Sequence, residues 1–352
     1  MKSWSVPPAV FSQNLLHAKN PPRLMKDRHP QLRIAALCSK KYWVSKMSRC
    51  RFEYFRAVAA HEDVQMTITG PGFPGWDNTK SVAHNLAEYG DFDVAWAYNP
   101  QDMIGFEDLL CLKTVSFNES WWEKDLAALI CKHRGVGLVI CHHGNDVPRF
   151  TKFGLRTVHI PHCANPDVFY GGVPLAERKT DCLLTGVFSP QVYPLRSKYL
   201  EAIQNYGLKS EIRPHPGYRM TSESACDAQY QDYANALREA KISLCCTSKH
   251  KYSLAKIIES AMAGCIVVVD TPDDEIFQQY LAPHCWIVHP ELDAKDLAEN
   301  LISRIPQSKS GWEELHGQQE NLRLAALARF TTDHYAMRFV QACRDAISNK
   351  DS

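Results

Sequence analysis

Two series of alternating short apolar strands and amphipathic helices, separated by a proline- and glycine-rich break, most constrain the fold of this chain. In the first series we predict strands at residues 32–37, 64–69, 93–98, 113–117 and 138–141 and helices at 49–61 and 120–133. Parallel strands need crossover connections, which are usually helices, so this alternation predicts a parallel sheet with both faces covered. The break at residues 157–174 contains three prolines and two glycines and is predicted to be a linker.

The alternation restarts after the break. We predict strands at 181–184, 210–213, 241–246 and 265–269 and helices at 196–206, 229–240, 255–263, 293–305, 312–329 and 333–347. The predicted fold class is therefore α/β, with two doubly wound, Rossmann-like domains and a cleft between them. In such sheets ligands bind beyond the carboxyl ends of the strands.

The composition limits the classes of function. A chain of 352 residues is long for one hydrophobic core, which favours two domains. A formal net charge of +1 gives no electrostatic reason to expect a nucleic-acid partner. No apolar stretch approaches the roughly 18 residues of a membrane span. The 13 cysteines lack paired spacing, which indicates a reducing compartment. We therefore expect a cytoplasmic protein.

The segment 241–270 carries the strongest local signal for a ligand site. Lys256 and Glu259 lie opposite the apolar stripe of its short helix, which consists of Leu254, Ile257, Ile258, Ala261 and Met262. We expect Glu259 to turn away from the core. The preceding loop is rich in Ser, Thr, Lys and His, which suits a helix N-terminus that receives an anion.

Four segments resemble the GT-B glycosyltransferases, and more narrowly the spore-maturation-type group related to the retaining group 1 family. They are residues 160–169 (the hinge), 181–196 (the first strand and loop of the donor domain), 256–264 (the donor-binding helix) and 330–338 (the closing helix). Residues 1–30 lack a continuous apolar run and are predicted to be an irregular extension. The resemblance implies an acceptor domain at 31–160, a hinge at 161–175 and a donor domain at 176–330. A final helix at 331–352 would return toward the first domain.

The resemblance also implies a nucleotide-sugar donor site in the second domain. Glu259 occupies the position of the carboxylate that binds the ribose diol, and Arg196 the position of a cation that faces the diphosphate. Lys249, Lys251 or Lys256 is the second cation. The remaining donor-site residues that we predict are Gly186, Ser189, Arg213, His215 and Ser253. Many relatives carry a second Glu eight positions before the first, where this chain has Lys251, so the sugar and the stereochemical outcome stay open.

Two histidines at the end of a first-domain strand are catalytic candidates. His142 or His143 is suited to act as a general base or to contact the sugar, with Asp146 orienting the ring. The alternative is that they cap a turn. Trp121 and Trp122 fit a core better than a sugar-stacking platform, and the basic loop at 40–46 fits a solvated surface better than an acceptor or membrane contact.

The sequence therefore predicts a hexosyltransferase-type enzyme that transfers a sugar from a nucleotide-sugar to a sugar, lipid or small-molecule acceptor. Two cations and a helix N-terminus would neutralise the leaving diphosphate, so no metal or other cofactor is expected. Three alternatives stay open. They are a polyol-phosphate transferase, which a Pro-His-Pro-Gly segment at 214–217 also resembles, a sugar-nucleotide epimerase, and a silent nucleotide-sugar-binding protein. Peripheral membrane contact is also left open.

Overall fold

The computed structural model describes residues 31–40, 49–98, 103–120, 125–217 and 222–349, which belong to one compact unit beginning at Gln31. Within these residues the first half forms a six-stranded parallel sheet of order β2-β1-β3-β4-β5-β6. Its strands are β1 (Leu32–Leu37), β2 (Val64–Thr69), β3 (Val94–Ala97), β4 (Leu112–Phe117), β5 (Leu138–Cys141) and β6 (Thr157–His159). Its helices are α1 (Arg49–Ala60), α2 (Val82–Leu86), α3 (Leu126–His133) and α4 (Val147–Thr151).

The second half, over the same described residues, forms a five-stranded parallel sheet of order β11-β10-β9-β7-β8. The strands are β7 (Thr180–Gly186), β8 (Glu211–Pro214), β9 (Ala240–Leu244), β10 (Ile266–Val269) and β11 (Trp286–Ile287). The helices are α5 (Pro194–Asn205), α6 (Glu223–Glu239), α7 (Ala255–Met262), α8 (Glu275–Tyr280), α9 (Ala294–Arg304), α10 (Lys309–Glu314), α11 (His316–Leu327) and α12 (Thr332–Ser348). The predicted fold class is thus confirmed.

Burial on both faces explains why the central strands are almost wholly apolar. Every residue of β5 and of β10 is buried, as a parallel strand covered by helices requires. The final helix α12 packs on the first sheet rather than the second. Its Phe339 lies against Trp96 of β3, with ring centroids 4.2 Å apart, and Tyr335 stacks on Tyr54 of α1 at 4.3 Å.

The sequence did not predict α2, α4, α8 or β11, and three of the predicted elements differ clearly from the structure. Residues 157–159 were assigned to the linker but form β6, a short edge strand whose three residues are half-buried and therefore lack a clear apolar signal. Helix α6 begins six residues earlier than predicted, because Ser222 caps it by accepting a hydrogen bond from the Ala225 amide. The predicted helix at 312–329 is two helices, α10 and α11, and Ser308 caps the first.

Candidate functional site

A cavity of about 630 Å³ lies at the carboxyl edge of the second sheet and is closed on one side by residues of the first half. The second half contributes the ends of β7 and β8, the start of α5, one face of α6 and the N-terminal part of α7. Five of the predicted donor-site residues line it together with Glu259: Gly186, Arg196, Arg213, His215 and Lys256. Ligands of parallel α/β sheets bind at this edge.

Glu259 lies on the cavity side of α7 but is buried, with only 6% of its surface exposed. The expectation that it turns away from the core is met only in part, because α6 covers this face. Tyr233 of α6 donates a hydrogen bond from its hydroxyl to Glu259 Oε2 at 3.1 Å. Burial raises the pKa of Glu259, while Lys256 and the Tyr233 hydroxyl oppose that rise. One carboxylate oxygen is thus held by the protein, and the other is left for a ligand.

Lys256 precedes Glu259 by one helical turn and lines the same cavity. Its ammonium lies over the Tyr233 ring, 4.2 Å from the centroid. Burial lowers the pKa of Lys256, and the nearby Arg196 lowers it further, whereas Glu259 acts in the opposite direction. Among the described residues Lys256 forms no ion pair, so its charge is available to an anion.

Arg196 is buried at the first turn of α5, with its guanidinium 4.1 Å from the Tyr193 ring centroid. Nη1 donates to the Val187 carbonyl at 2.9 Å, and Nε is buried without a hydrogen-bond partner in the described chain. Gly186 makes room for it: the residue has φ 117°, and a Cβ atom there would lie 2.8 Å from Arg196 Nη1. The glycine at the end of β7 therefore leaves the space that the Arg196 guanidinium occupies.

The loop after β8 supplies a third side of the cavity. His215 donates its amide to the Gly186 carbonyl at 3.0 Å, and its Nδ1 accepts from the Gly217 amide at 2.9 Å. Burial, followed by the charges of Lys256 and Arg196, lowers the pKa of His215. Arg213 also lines the cavity, but its guanidinium is paired with Glu211 and, at 3.2 Å, with Asp232.

The other predicted donor-site residues, Ser189, Lys249, Lys251 and Ser253, do not line this cavity. Lys251 has a left-handed backbone with φ 57°, and its ammonium pairs with Asp270 Oδ2 at 2.9 Å. Lys249 is exposed, whereas Ser253 is buried. Lys251, which stands where the resemblance leads us to expect a glutamate, is thus directed at Asp270.

His142, His143 and Asp146 are buried between the two halves and do not line the cavity either. His142 is hydrogen-bonded at both ring nitrogens, to the Ile160 carbonyl and to the Tyr98 hydroxyl, each at 3.0 Å, and burial lowers its pKa to about 3. His143 stacks on Tyr252, with centroids 4.0 Å apart, and burial lowers its pKa as well.

Asp146 does not orient either histidine. Its Oδ1 accepts from the Tyr252 hydroxyl at 2.6 Å, and its Oδ2 accepts from the Ser120 amide at 3.0 Å. Because Tyr252 follows β9, this hydrogen bond joins the two halves of the molecule. Nearby, Asn145 donates from Nδ2 to the His250 carbonyl at 2.8 Å.

The first half instead presents Asn118, Glu119 and His162 to the cavity, none of which the sequence analysis placed there. Asn118 and Glu119 follow the carboxyl end of β4, which is a signal available in the sequence. His162 lies three residues beyond the end of β6, so recognising it required the edge strand that was taken for part of the linker.

Other predicted features have different outcomes. Trp121, Trp122 and residues 41–46 of the basic loop lie outside the described residues. In the part of the chain that the structure describes, no group of three or more His, Cys, Asp or Glu side chains is arranged to hold a metal ion. Asp274 caps α8 by accepting from the Phe277 amide at 3.0 Å. No described helix has both the length and the apolar character needed to cross a bilayer.

No protein-family model matches the sequence, and no curated protein is similar to it. Solved structures do match. HepE of Anabaena in complex with UDP-glucose has a TM-score of 0.62 at 10% identity, covering 90% of this chain and 100% of that chain. A glycosyltransferase from Rickettsia africae has a TM-score of 0.59 at 13% identity, with 91% and 100% covered.

A third match is the N-terminal domain of trehalose-6-phosphate phosphatase from Candida albicans, with a TM-score of 0.57 at 8% identity and 92% and 98% covered. The glycosyltransferases among these neighbours are of the GT-B type. At such identities the similarity concerns the fold. The chain therefore has the GT-B fold.

Proposed function

On this fold we propose that the protein is a glycosyltransferase that moves a sugar from a nucleoside-diphosphate sugar to an acceptor hydroxyl. One observation carries the proposal: Glu259, Lys256 and Arg196, which come from two different helices, line a single cavity at the carboxyl edge of the second sheet. A carboxylate, two buried cations and a cavity of about 630 Å³ suit a ribose linked to a diphosphate.

Each of the three side chains has a role that follows from its surroundings. Glu259 has one oxygen held by Tyr233, and its other oxygen accepts from the ribose diol. Lys256 and the Nε of Arg196 meet the diphosphate oxygens. As the glycosidic bond breaks, negative charge grows on the diphosphate, and cations that are already fixed in a buried site stabilise it more than water would.

UDP-sugars are the first donors to test. HepE has been solved with UDP, with UDP-glucose, and with UDP and glucose together. These complexes support a nucleotide-sugar donor for this chain as well. The structural similarity to HepE assigns neither the sugar nor the acceptor of this protein.

The test is a thermal-shift panel of UDP-, GDP- and CDP-linked sugars, followed by detection of slow donor hydrolysis. We expect one nucleotide class to raise the Tm of the wild-type protein. Glu259→Ala should lower affinity for that nucleotide by about tenfold or more, since it removes a hydrogen bond to a charged acceptor. Glu313→Ala, on the exposed face of α10, is the matched control. If no nucleotide raises Tm and Glu259→Ala behaves like Glu313→Ala, the glycosyltransferase proposal is wrong.

The phosphotransferase alternative rests on the loop at 214–217, because His215 lies in the cavity beside Lys256 and Arg196. The reaction product separates the two. A glycosyltransferase releases a nucleoside diphosphate, whereas transfer of a polyol phosphate releases a nucleoside monophosphate. Binding without turnover of any donor would instead indicate a silent nucleotide-sugar-binding protein.

A further inference from the structure

The first-half wall of the cavity contains a histidine whose two ring nitrogens face different surroundings. His162 is 3% exposed and lines the cavity. Its Nδ1 is hydrogen-bonded to the hydroxyl of Tyr54, which lies inside the first half and is itself fully buried. Among the described residues Nε2 has no protein partner. Nε2 is therefore the nitrogen left for a ligand.

The ring of His162 is held in a fixed orientation. Its centroid lies 5.2 Å from that of His142 and 4.9 Å from that of His143, which meets it edge-on at 70°. Tyr54, which bonds Nδ1, is stacked in turn on Tyr335 of α12. A buried side chain fixed in this way is preorganised for a contact, since little rotamer freedom is lost when the ligand binds.

The electrostatics of the His162 ring suit an uncharged partner. Burial, followed by the neighbouring His143, His142 and Arg51, lowers the pKa of His162, which favours the neutral form of the ring. A neutral imidazole is a poor ligand for a diphosphate, which has two cations across the cavity. A sugar hydroxyl both donates and accepts, so it satisfies Nε2 in either tautomer of the ring.

A second group on the same wall points to the same kind of ligand. Asn118 lines the cavity, and its Oδ1 is buried with no hydrogen-bond partner in the described chain. A buried polar atom without a partner is costly, and a hydroxyl-rich ligand would satisfy it. Both groups face the nucleotide-binding side chains of the second half across one cavity.

We propose that His162 hydrogen-bonds a hydroxyl group of the transferred sugar through Nε2, with Tyr54 positioning the ring through Nδ1. This inference rests on the proposed function, because the sugar reaches His162 only when its nucleotide is bound by the second half. It differs from the sequence expectation, which gave the sugar contact to His142 or His143.

Two substitutions separate the ligand contact from the Tyr54 contact. The amide nitrogen of Gln lies near the position of Nε2, whereas that of Asn lies near Nδ1. His162→Gln thus keeps a group for the sugar and loses the Tyr54 partner, and His162→Asn does the opposite. The probes are the nucleotide-sugar that gives the largest thermal shift and its free nucleoside diphosphate.

We expect His162→Asn to weaken nucleotide-sugar binding about tenfold while nucleoside diphosphate binding changes by about twofold or less. His162→Gln should weaken nucleotide-sugar binding less than His162→Asn does, because it keeps the sugar contact and loses only the positioning by Tyr54. The opposite ranking would show that the ring serves Tyr54, and equal loss of both ligands would show a packing role. Either result overturns the proposal. A loss confined to the acceptor KM would overturn it as well, since His162 would then contact the acceptor.

Donor analogues test the same contact in the wild-type protein, so the result does not depend on how the variants fold. Among donors that each lack one sugar hydroxyl, one should bind about tenfold more weakly to the wild type. If no single hydroxyl matters, the proposal is wrong. If the wild-type protein binds neither the nucleotide nor its sugar, the failure belongs to the proposed function instead.

Discussion

The second-half wall of the cavity and the buried groups next to Tyr252 differ in how their polar atoms are satisfied. On the second-half wall, Lys256 forms no ion pair among the described residues and Arg196 has a buried Nε without a partner. On the first-half side, His142 and Asp146 are bonded to other protein groups, whereas Asn118 Oδ1 and both ring nitrogens of His143 have no hydrogen-bond partner in the described chain. His142 uses both ring nitrogens, and Asp146 accepts two hydrogen bonds.

This difference separates ligand binding from cohesion of the fold. A buried cation without a counter-charge destabilises the empty protein, so its presence at a cavity indicates that an anion is expected there. The stacking of His143 on Tyr252 and the hydrogen bond from Tyr252 to Asp146 join the halves, and the Asp146 carboxylate is also paired with Arg149 at 3.6 Å. Three experiments test this contrast.

The largest expected effect comes from removing a charge on the second-half wall. Lys256→Met should weaken nucleoside diphosphate binding by about 2–3 kcal/mol, the value of a hydrogen bond to a charged group. The free protein should keep or gain stability, because the substitution removes a buried cation and keeps the apolar stem over Tyr233. Calorimetric titration and chemical denaturation measure the two effects. A Lys256→Met variant that loses stability but keeps its affinity for the nucleoside diphosphate would show that Lys256 stabilises the fold and does not bind the ligand.

An intermediate effect is expected where the two halves are joined. Tyr252→Phe removes the hydroxyl that donates to Asp146 at 2.6 Å and keeps the ring that stacks on His143. The buried carboxylate then loses a partner, so the free energy of unfolding should fall by about 1–2 kcal/mol. Tyr206→Phe, at the exposed end of α5, is the control in urea denaturation. Equal curves for the two variants would mean that this hydrogen bond does not hold the halves together.

The smallest expected effect is a pH dependence in which diphosphate affinity and the stability of the free protein change in opposite directions. Because the pKa of Lys256 is lowered, its ammonium loses its proton at a lower pH than an ordinary lysine. Diphosphate affinity should therefore decrease as pH rises through that lowered pKa, by about tenfold or less per pH unit for one proton.

Stability of the free protein should change in the opposite sense over the same alkaline window. There the unfolded chain binds the proton that the folded protein has released, so the free energy of unfolding gains a contribution as pH rises. Lys256→Met is the control, and its affinity should show a flatter alkaline limb. The same alkaline loss of affinity in that variant would show that another group titrates.

Much of the fold could be predicted because its signals are local. Strands β1, β2 and β5 were placed with the bounds that the structure has; β1 and β5 are almost wholly buried apolar runs, whereas β2 is buried only at Val64 and Thr69. The first residues of helices were harder to predict. The cap Ser222 starts α6 six residues before the predicted start, which was placed where the apolar pattern begins. The predicted domain bounds stay a prediction, because the bounds of single strands and helices do not test where one domain ends and the next begins.

The candidate site was predictable only in its second half. Gly186 ends a strand and Arg196, Lys256 and Glu259 lie on two helices, so their convergence follows from the parallel α/β order that the sequence predicts. The first-half residues depend on how side chains turn within a buried interface. His142 and His143 lie in the sequence where a cleft residue is expected, yet packing against Tyr54 and Tyr252 turns them inward.

The sequence by itself determined the two parallel sheets, the break between them and the face of α7 that carries Lys256 and Glu259, because strand burial and helical periodicity are set by neighbours in the chain. Only the tertiary structure decided that Tyr233 covers Glu259, that Lys251 pairs with Asp270, and that His162 rather than His142 or His143 lies in the first-half wall of the cavity. The contacts concerned are between residues 19 to 108 positions apart in the chain. They are therefore determined by side-chain packing in the folded protein and not by the local sequence pattern.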